Sequence, residues 1–138
     1  MIKCSRRIEF DAAHRIIEHE SKCKMLHGHR YVLEVTFIAE NLDKLGRVVD
    51  FGVIKNIIGK WIDDNWDHNT ILNVRDRKLG DDITKVTGQK IYYLDYNPTA
   101  ENMARHLFEK ICPELFKDYN IKIDRIKLFE TPNCSVEI

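Results

Sequence analysis

Three histidines and one cysteine fall within sixteen residues of this chain: His14 in the run FDAAHR, then Cys23, His27 and His29 in CKMLHGH. Imidazole nitrogens that meet at one point can hold a divalent metal, and a thiol next to such an ion can move a proton. Three neutral imidazoles with an open fourth position is the arrangement of catalytic zinc, whereas structural zinc is closed by four ligands rich in cysteine. Imidazole alone also suits iron, copper or nickel. Taken singly, His27-Gly28-His29 reads more readily as two half-buried strand histidines bonded to backbone than as metal ligands. The register of His14 and Cys23 with that pair is what favours a metal site.

The elements that must position these residues follow from parity. In a strand, alternate side chains share a face, so His27 and His29 aim at one point. Ile8, Phe10, Ala12 and His14 share one parity, and Tyr31, Leu33, Val35 and Phe37 continue that of His29. Strands over residues 2–14 and 29–40 are therefore expected to pair antiparallel through 15–26, bringing His14 opposite His27 and His29 and folding Cys23 over the metal.

Beyond a turn at Asn41 to Gly46 and a short extended piece at 47–50, Asp50 or Gly52 caps a helix with the apolar stripe Val53, Ile54, Ile57, Ile58, Trp61 and Ile62. Residues 67–98 are the least regular, with a short helix around 76–86 and a β-like run Ile91 to Leu94. Thr99 caps a second helix, with Asn102 where a capping box would carry Glu or Gln, Met103, Leu107 and Ile111 on its buried face, and Cys112-Pro113 at its end. His106 lies off that stripe and reads as solvated. The last segment, 121–138, reads as a hairpin turning at Pro132-Asn133, with a bulge near Asp124-Arg125 because the apolar parity switches there. Glu130 then faces the side of Leu128, where a carboxylate is costly unless donors meet it.

The expected order is ββααββ, an α+β fold with a four-stranded antiparallel sheet and two helices on one face. A single domain over residues 1–138 is expected, with open sheet edges that invite subunits to pair. With 22 basic and 22 acidic side chains, no overall field favours nucleic acid or an anionic membrane. No apolar run approaches the roughly 20 residues that cross a bilayer. The N-terminal MIKCSRRIEF lacks a long apolar stretch, so a cytoplasmic protein with free thiols is expected. Cys4, Cys112 and Cys134 read as buried and inert.

Several short motifs occur here in one order: FDAAHR, CKMLHGH, VVDFGVIK, Asp67-His68 followed by Leu72-Asn73, PTAEN and the terminal FET. In this the chain resembles the 6-pyruvoyltetrahydropterin synthase and 6-carboxytetrahydropterin synthase family of tunnelling-fold enzymes. The resemblance implies that His14, His27 and His29 bind Zn2+, that Cys23 takes a proton from the substrate side chain, and that Asp67 and His68 form its partner pair. It also implies that Glu130 grips a pterin ring, with Thr99 and Glu101 around the same pocket. The implied assembly is a homohexamer, a dimer of trimers with sites between subunits.

The three residues between Cys23 and His27 are similar to the spacing in 6-carboxytetrahydropterin synthases of queuosine (deazaguanine) biosynthesis. Residues 75–97 are longer than the loop of the compact bacterial members. The implied substrate is the pterin triphosphate 7,8-dihydroneopterin triphosphate, converted to 6-carboxy-5,6,7,8-tetrahydropterin with release of acetaldehyde and triphosphate. The alternatives are a synthase that stops at 6-pyruvoyltetrahydropterin, a thiol hydrolase using Cys23 and His68, and a non-catalytic pterin or metal-binding module. Lys22, Lys24, Arg15 and Arg30 are the nearby cations for the triphosphate.

Overall fold

Alternation on the two long runs dictates the centre of the sheet. In the computed structural model, which covers residues 1–138, β1 (Ile2–His14) and β2 (His27–Ala39) pair antiparallel over their whole length. Phe10 stands opposite Tyr31, Ala12 opposite His29 and His14 opposite His27. Phe10, Tyr31, Leu33, Val35 and Phe37 are fully buried on the shared face. β2 starts at His27 rather than His29 because the ladder to β1 continues to the last residue of that strand.

The sheet has six strands rather than the four expected. β3 (Asn69–Asn73), β4 (Ile91–Leu94), β5 (Lys122–Thr131) and β6 (Cys134–Glu137) complete it in the order β4-β3-β1-β2-β5-β6. The β1–β3 and β3–β4 pairings are parallel, so the sheet is mixed rather than purely antiparallel. β3 is short and has Thr70, Ile71, Leu72 and Asn73 all buried, so it carries no alternation to betray it. In β5 a register shift at Asp124 lets Ile123 and Ile126, of opposite parity, both pack against the core. The hairpin to β6 turns at Pro132-Asn133 as expected.

Two helices cover the face that carries the imidazoles. α1 (residues 51–65) is capped by the Asp50 carboxylate, which accepts from Gly52 N–H at 2.7 Å, and it buries Ile54, Ile58 and Ile62 completely. A third, α2 (Arg77–Thr87), covers the opposite face at the β3–β4 end. There Tyr93, facing away from Tyr92 and the main core, packs so closely on Gly80 that a Cβ would collide with its hydroxyl. The long 75–97 segment is therefore a helix and an edge strand.

The second helix of the imidazole face, α3 (residues 100–115), starts where Thr99 Oγ1 accepts from Asn102 N–H at 3.1 Å. It runs past Cys112-Pro113 to Leu115, because a π turn over Leu107–Ile111 precedes the proline and eases its clash with the carbonyl four residues back. His106 is not solvated as expected. It is half-buried, its Nε2 is 2.6 Å from the Tyr92 hydroxyl, and its ring lies over Trp66.

Candidate active site

The ends of β1 and β2 bring three imidazoles together. His14 is 2% exposed, and its Nδ1 donates to the Pro98 carbonyl at 2.7 Å; His27 Nδ1 donates likewise to the Met25 carbonyl at 2.7 Å. A carbonyl has no proton to give, so both rings carry theirs on Nδ1 and, when neutral, present a bare Nε2. Those two Nε2 atoms face each other at 3.2 Å, and His29 Nε2 is buried without a hydrogen-bond partner. All three ligand nitrogens lie within 4.8 Å of one another. Three lone pairs turned toward one point repel unless a cation lies between them, and tetrahedral bonds of 2.0–2.1 Å separate ligands by about 3.3 Å. The residues present fit a divalent ion.

The surroundings disfavour the charged form of His14 and His29. Burial pushes His14 down to about 4, the Pro98 hydrogen bond notwithstanding, and the other two imidazoles lower it further. His29 is lowered too, by burial first, against the opposing pull of Glu130, whose Oε1 is 3.6 Å from its Nε2. Tyr31 lies beneath, its hydroxyl 3.2 Å from His14 Nδ1.

Beside the trio is a cavity of about 240 Å3. His14, Cys23, Thr99, Glu101 and Glu130 all line it, so five of the nine residues singled out in the sequence meet at one hollow. Cys23 sits in a single 3-10 turn, Lys22–Lys24, held where the Ile16 N–H donates to the Cys23 carbonyl at 2.9 Å. The connection around it is pinned from outside. Arg15 grips the buried Asp76 carboxylate with two bonds of 2.5 and 2.8 Å, and Asn97 Nδ2 donates to the Ile17 carbonyl at 3.0 Å. Ile16, His19, Cys134, Ser135 and Val136 also line the cavity, and sequence reasoning missed them. Cys134 is exposed there rather than buried, and Cys4 is half-buried; only Cys112 is deeply buried, its thiol pushed up to about 12 by burial.

Asp67 and His68 lie elsewhere. His68 lines a separate hollow with Asp11, Ala13, Gly28 and Arg30, which have the opposite parity to the imidazoles, and Ala12 and His29 line it as well. Neighbouring residues seldom share a side-chain bond, yet His68 Nδ1 is 2.9 Å from Asp67 Oδ2, because His68 holds a left-handed φ of 58°. Asp67 Oδ1 accepts from Asp11 N–H at 3.0 Å. Burial tends to raise the Asp67 carboxyl, but the Asp11 and His68 hydrogen bonds prevail and lower it; the same bond to Asp67 raises His68. The pair is a carboxylate-oriented imidazole whose Nε2 is free. Of the four cations noted in the sequence none lines the cavity: Arg15 is held by Asp76 and Arg30 by Asp11.

A mixed sheet that ends in three convergent imidazoles, with a thiol and a carboxylate around the adjoining cavity, offers a candidate metal site. The sequence model described as 6-pyruvoyl tetrahydropterin synthase matches residues 3–138, and the chain belongs to that family. The 6-carboxy-5,6,7,8-tetrahydropterin synthase of Rickettsia conorii is 59% identical over 138 residues, covering 100% of both chains. That of Haemophilus influenzae is 35% identical over 99% of this chain and 98% of its own. Among solved structures, the 6-pyruvoyl tetrahydropterin synthase of Plasmodium vivax superposes with a TM-score of 0.70 at 15% identity, over 100% of this chain and 98% of its own. An uncharacterized protein of Wolinella succinogenes superposes with a TM-score of 0.82 at 19% identity, over 99% and 97%. The chain is thus a synthase-type pterin enzyme by family. No helix is long and apolar enough to cross a membrane.

Proposed function

We propose that this chain is a zinc-dependent lyase that converts 7,8-dihydroneopterin triphosphate to 6-carboxy-5,6,7,8-tetrahydropterin, releasing acetaldehyde and triphosphate, in queuosine biosynthesis. The observation that carries the reading is the convergence of His14, His27 and His29 beside a cavity that Cys23 and Glu130 also line. The 59% identical Rickettsia conorii relative bears the name of that synthase.

When bound at the three Nε2 atoms, zinc supplies Lewis acidity toward the substrate's side-chain oxygens. The chain's own residues do the rest. Glu130 accepts from the pterin's amino group and adjacent ring N–H, two parallel donors that match one carboxylate, and Thr99 and Glu101 flank the ring at the start of α3. Cys23 takes the proton from the side-chain carbon. Asp67 holds His68 with its proton on Nδ1, leaving Nε2 to accept a proton in relay.

Since His68 lies on the opposite face from Cys23 of its own chain, a neighbouring subunit brings the pair to the cavity. The proposed assembly is a homohexamer of two trimers, each chain one synthase domain over residues 1–138 in the cytoplasm. The test is zinc-loaded protein with dihydroneopterin triphosphate, followed by mass spectrometry. Acetaldehyde and the 6-carboxy product are expected; 6-pyruvoyltetrahydropterin without acetaldehyde would assign the shorter reaction, and turnover that survives complete chelation would remove the metal from the mechanism.

A further inference from the structure

The cavity holds two carboxylates, Glu101 and Glu130, and no lysine or arginine. Within one chain a triphosphate tail therefore finds few donors in it, and the neighbouring subunit that brings His68 would add Arg30 from the same hollow. His14 is committed to the trio, which leaves His19 as the one further imidazole that the chain itself places on the wall.

Three local features fix how His19 is presented. The Ser21 N–H donates to His19 Nδ1 at 2.8 Å, so Nδ1 is a lone pair and the ring proton resides on Nε2. The preceding residue, Glu18, holds a left-handed φ of 67°, a conformation non-glycine residues adopt at a cost. That turn is held by Arg75, whose Nη2 donates to Glu18 Oε1 at 2.8 Å. It re-aims the chain within the connection that carries Cys23, and the ring is only 26% exposed. A strained backbone, a fixed tautomer and a place on the cavity wall together describe a donor set toward a ligand.

We propose that His19 is a substrate-binding residue whose Nε2–H donates to the phosphate group nearest the pterin side chain, making it a determinant of specificity for the triphosphate ester over the bare alcohol. This rests on the pterin triphosphate reading above. His19 steadies that phosphate as it leaves, while Lys22 and Lys24, exposed on either side of Cys23, lie outside the cavity.

The test compares binding of dihydroneopterin triphosphate and of dihydroneopterin to the zinc-loaded full chain, made inactive by Cys23→Ala so that nothing turns over. His19→Phe should weaken the triphosphate about 10- to 30-fold, the loss of one charge-assisted hydrogen bond, while dihydroneopterin shifts by less than about twofold. His19→Gln, which keeps an N–H near the same place, should stay within about threefold of the parent for both. Equal weakening of both ligands, or of neither, would overturn the assignment. If the parent binds neither pterin, the functional reading falls, and inorganic triphosphate alone then decides on His19: its affinity must drop with His19→Phe or the assignment falls too.

Discussion

His14 is set apart from the other two imidazoles by its burial, and like His27 it has its Nδ1 already spent on a backbone carbonyl, that of Pro98. Protonating its Nε2 would bury a charge against two further imidazoles, which is why its pKa falls from 6.5 to about 4. The sign of the consequence follows from proton counting. Between those values the unfolded chain takes up a proton that the folded chain refuses, so stability of the metal-free protein falls as pH drops from 6.5 toward 4. At pH 5 the loss should approach about 2 kcal/mol as an upper figure, read from urea midpoints at pH 7 and pH 5. His14→Phe should flatten that slope; a wild-type slope no steeper than the variant's would contradict the account. Cys23, by contrast, lines the cavity without belonging to the trio. Cys23→Ala should abolish acetaldehyde release while zinc stoichiometry, measured by elemental analysis, stays unchanged.

At the level of elements, what the sequence disclosed depended on how many faces each segment buries. β1 alternates, and β2 keeps Tyr31, Leu33, Val35 and Phe37 on one face although Val32 and Thr36 are buried on the other, so their pairing, the meeting of His14 with His27 and His29, and the bulge at Asp124 were all legible. The stripes of α1 and α3 and the caps at Asp50 and Thr99 were legible for the same reason. β3 is buried on both faces and showed no period, so although Ile91 to Leu94 read as β-like, the parallel pairing that joins β4 through β3 to β1 went unseen. His106 was misread because its partners, Tyr92 and Trp66, come from other elements. His19 had no pattern of its own, since it is aimed by Glu18's backbone and a bond to Ser21.

The α2 helix offers a direct check on the parallel half. Gly80 touches the Tyr93 ring, which the Arg77 guanidinium covers from 4.2 Å. Gly80→Ala must displace that ring, and a loss of about 1–3 kcal/mol in urea unfolding is expected despite alanine's better helix propensity. A stabilised variant would mean that α2 does not pack on Tyr93.

On the scale of the whole molecule, one chain gathers three imidazoles beside a hollow that His14, Cys23 and Glu130 line, but places His68 at a separate one. The exposed edges at β4 and β6 give copies of the chain a means to meet. If sites are shared, Cys23→Ala and His68→Ala proteins, each inactive, should regain about a quarter of wild-type turnover when refolded together at equal ratio, because some interfaces then join an intact Cys23 to an intact His68. Activity that never returns on mixing would place the pair outside a shared site.

Everything in this account converges on the three Nε2 atoms, and zinc K-edge absorption of the zinc-loaded protein tests them most directly. One zinc per chain is expected, with three imidazole nitrogens at about 2.0–2.1 Å and one oxygen ligand. A sulfur neighbour at about 2.3 Å, or a zinc shell unchanged in His14→Ala, would contradict it.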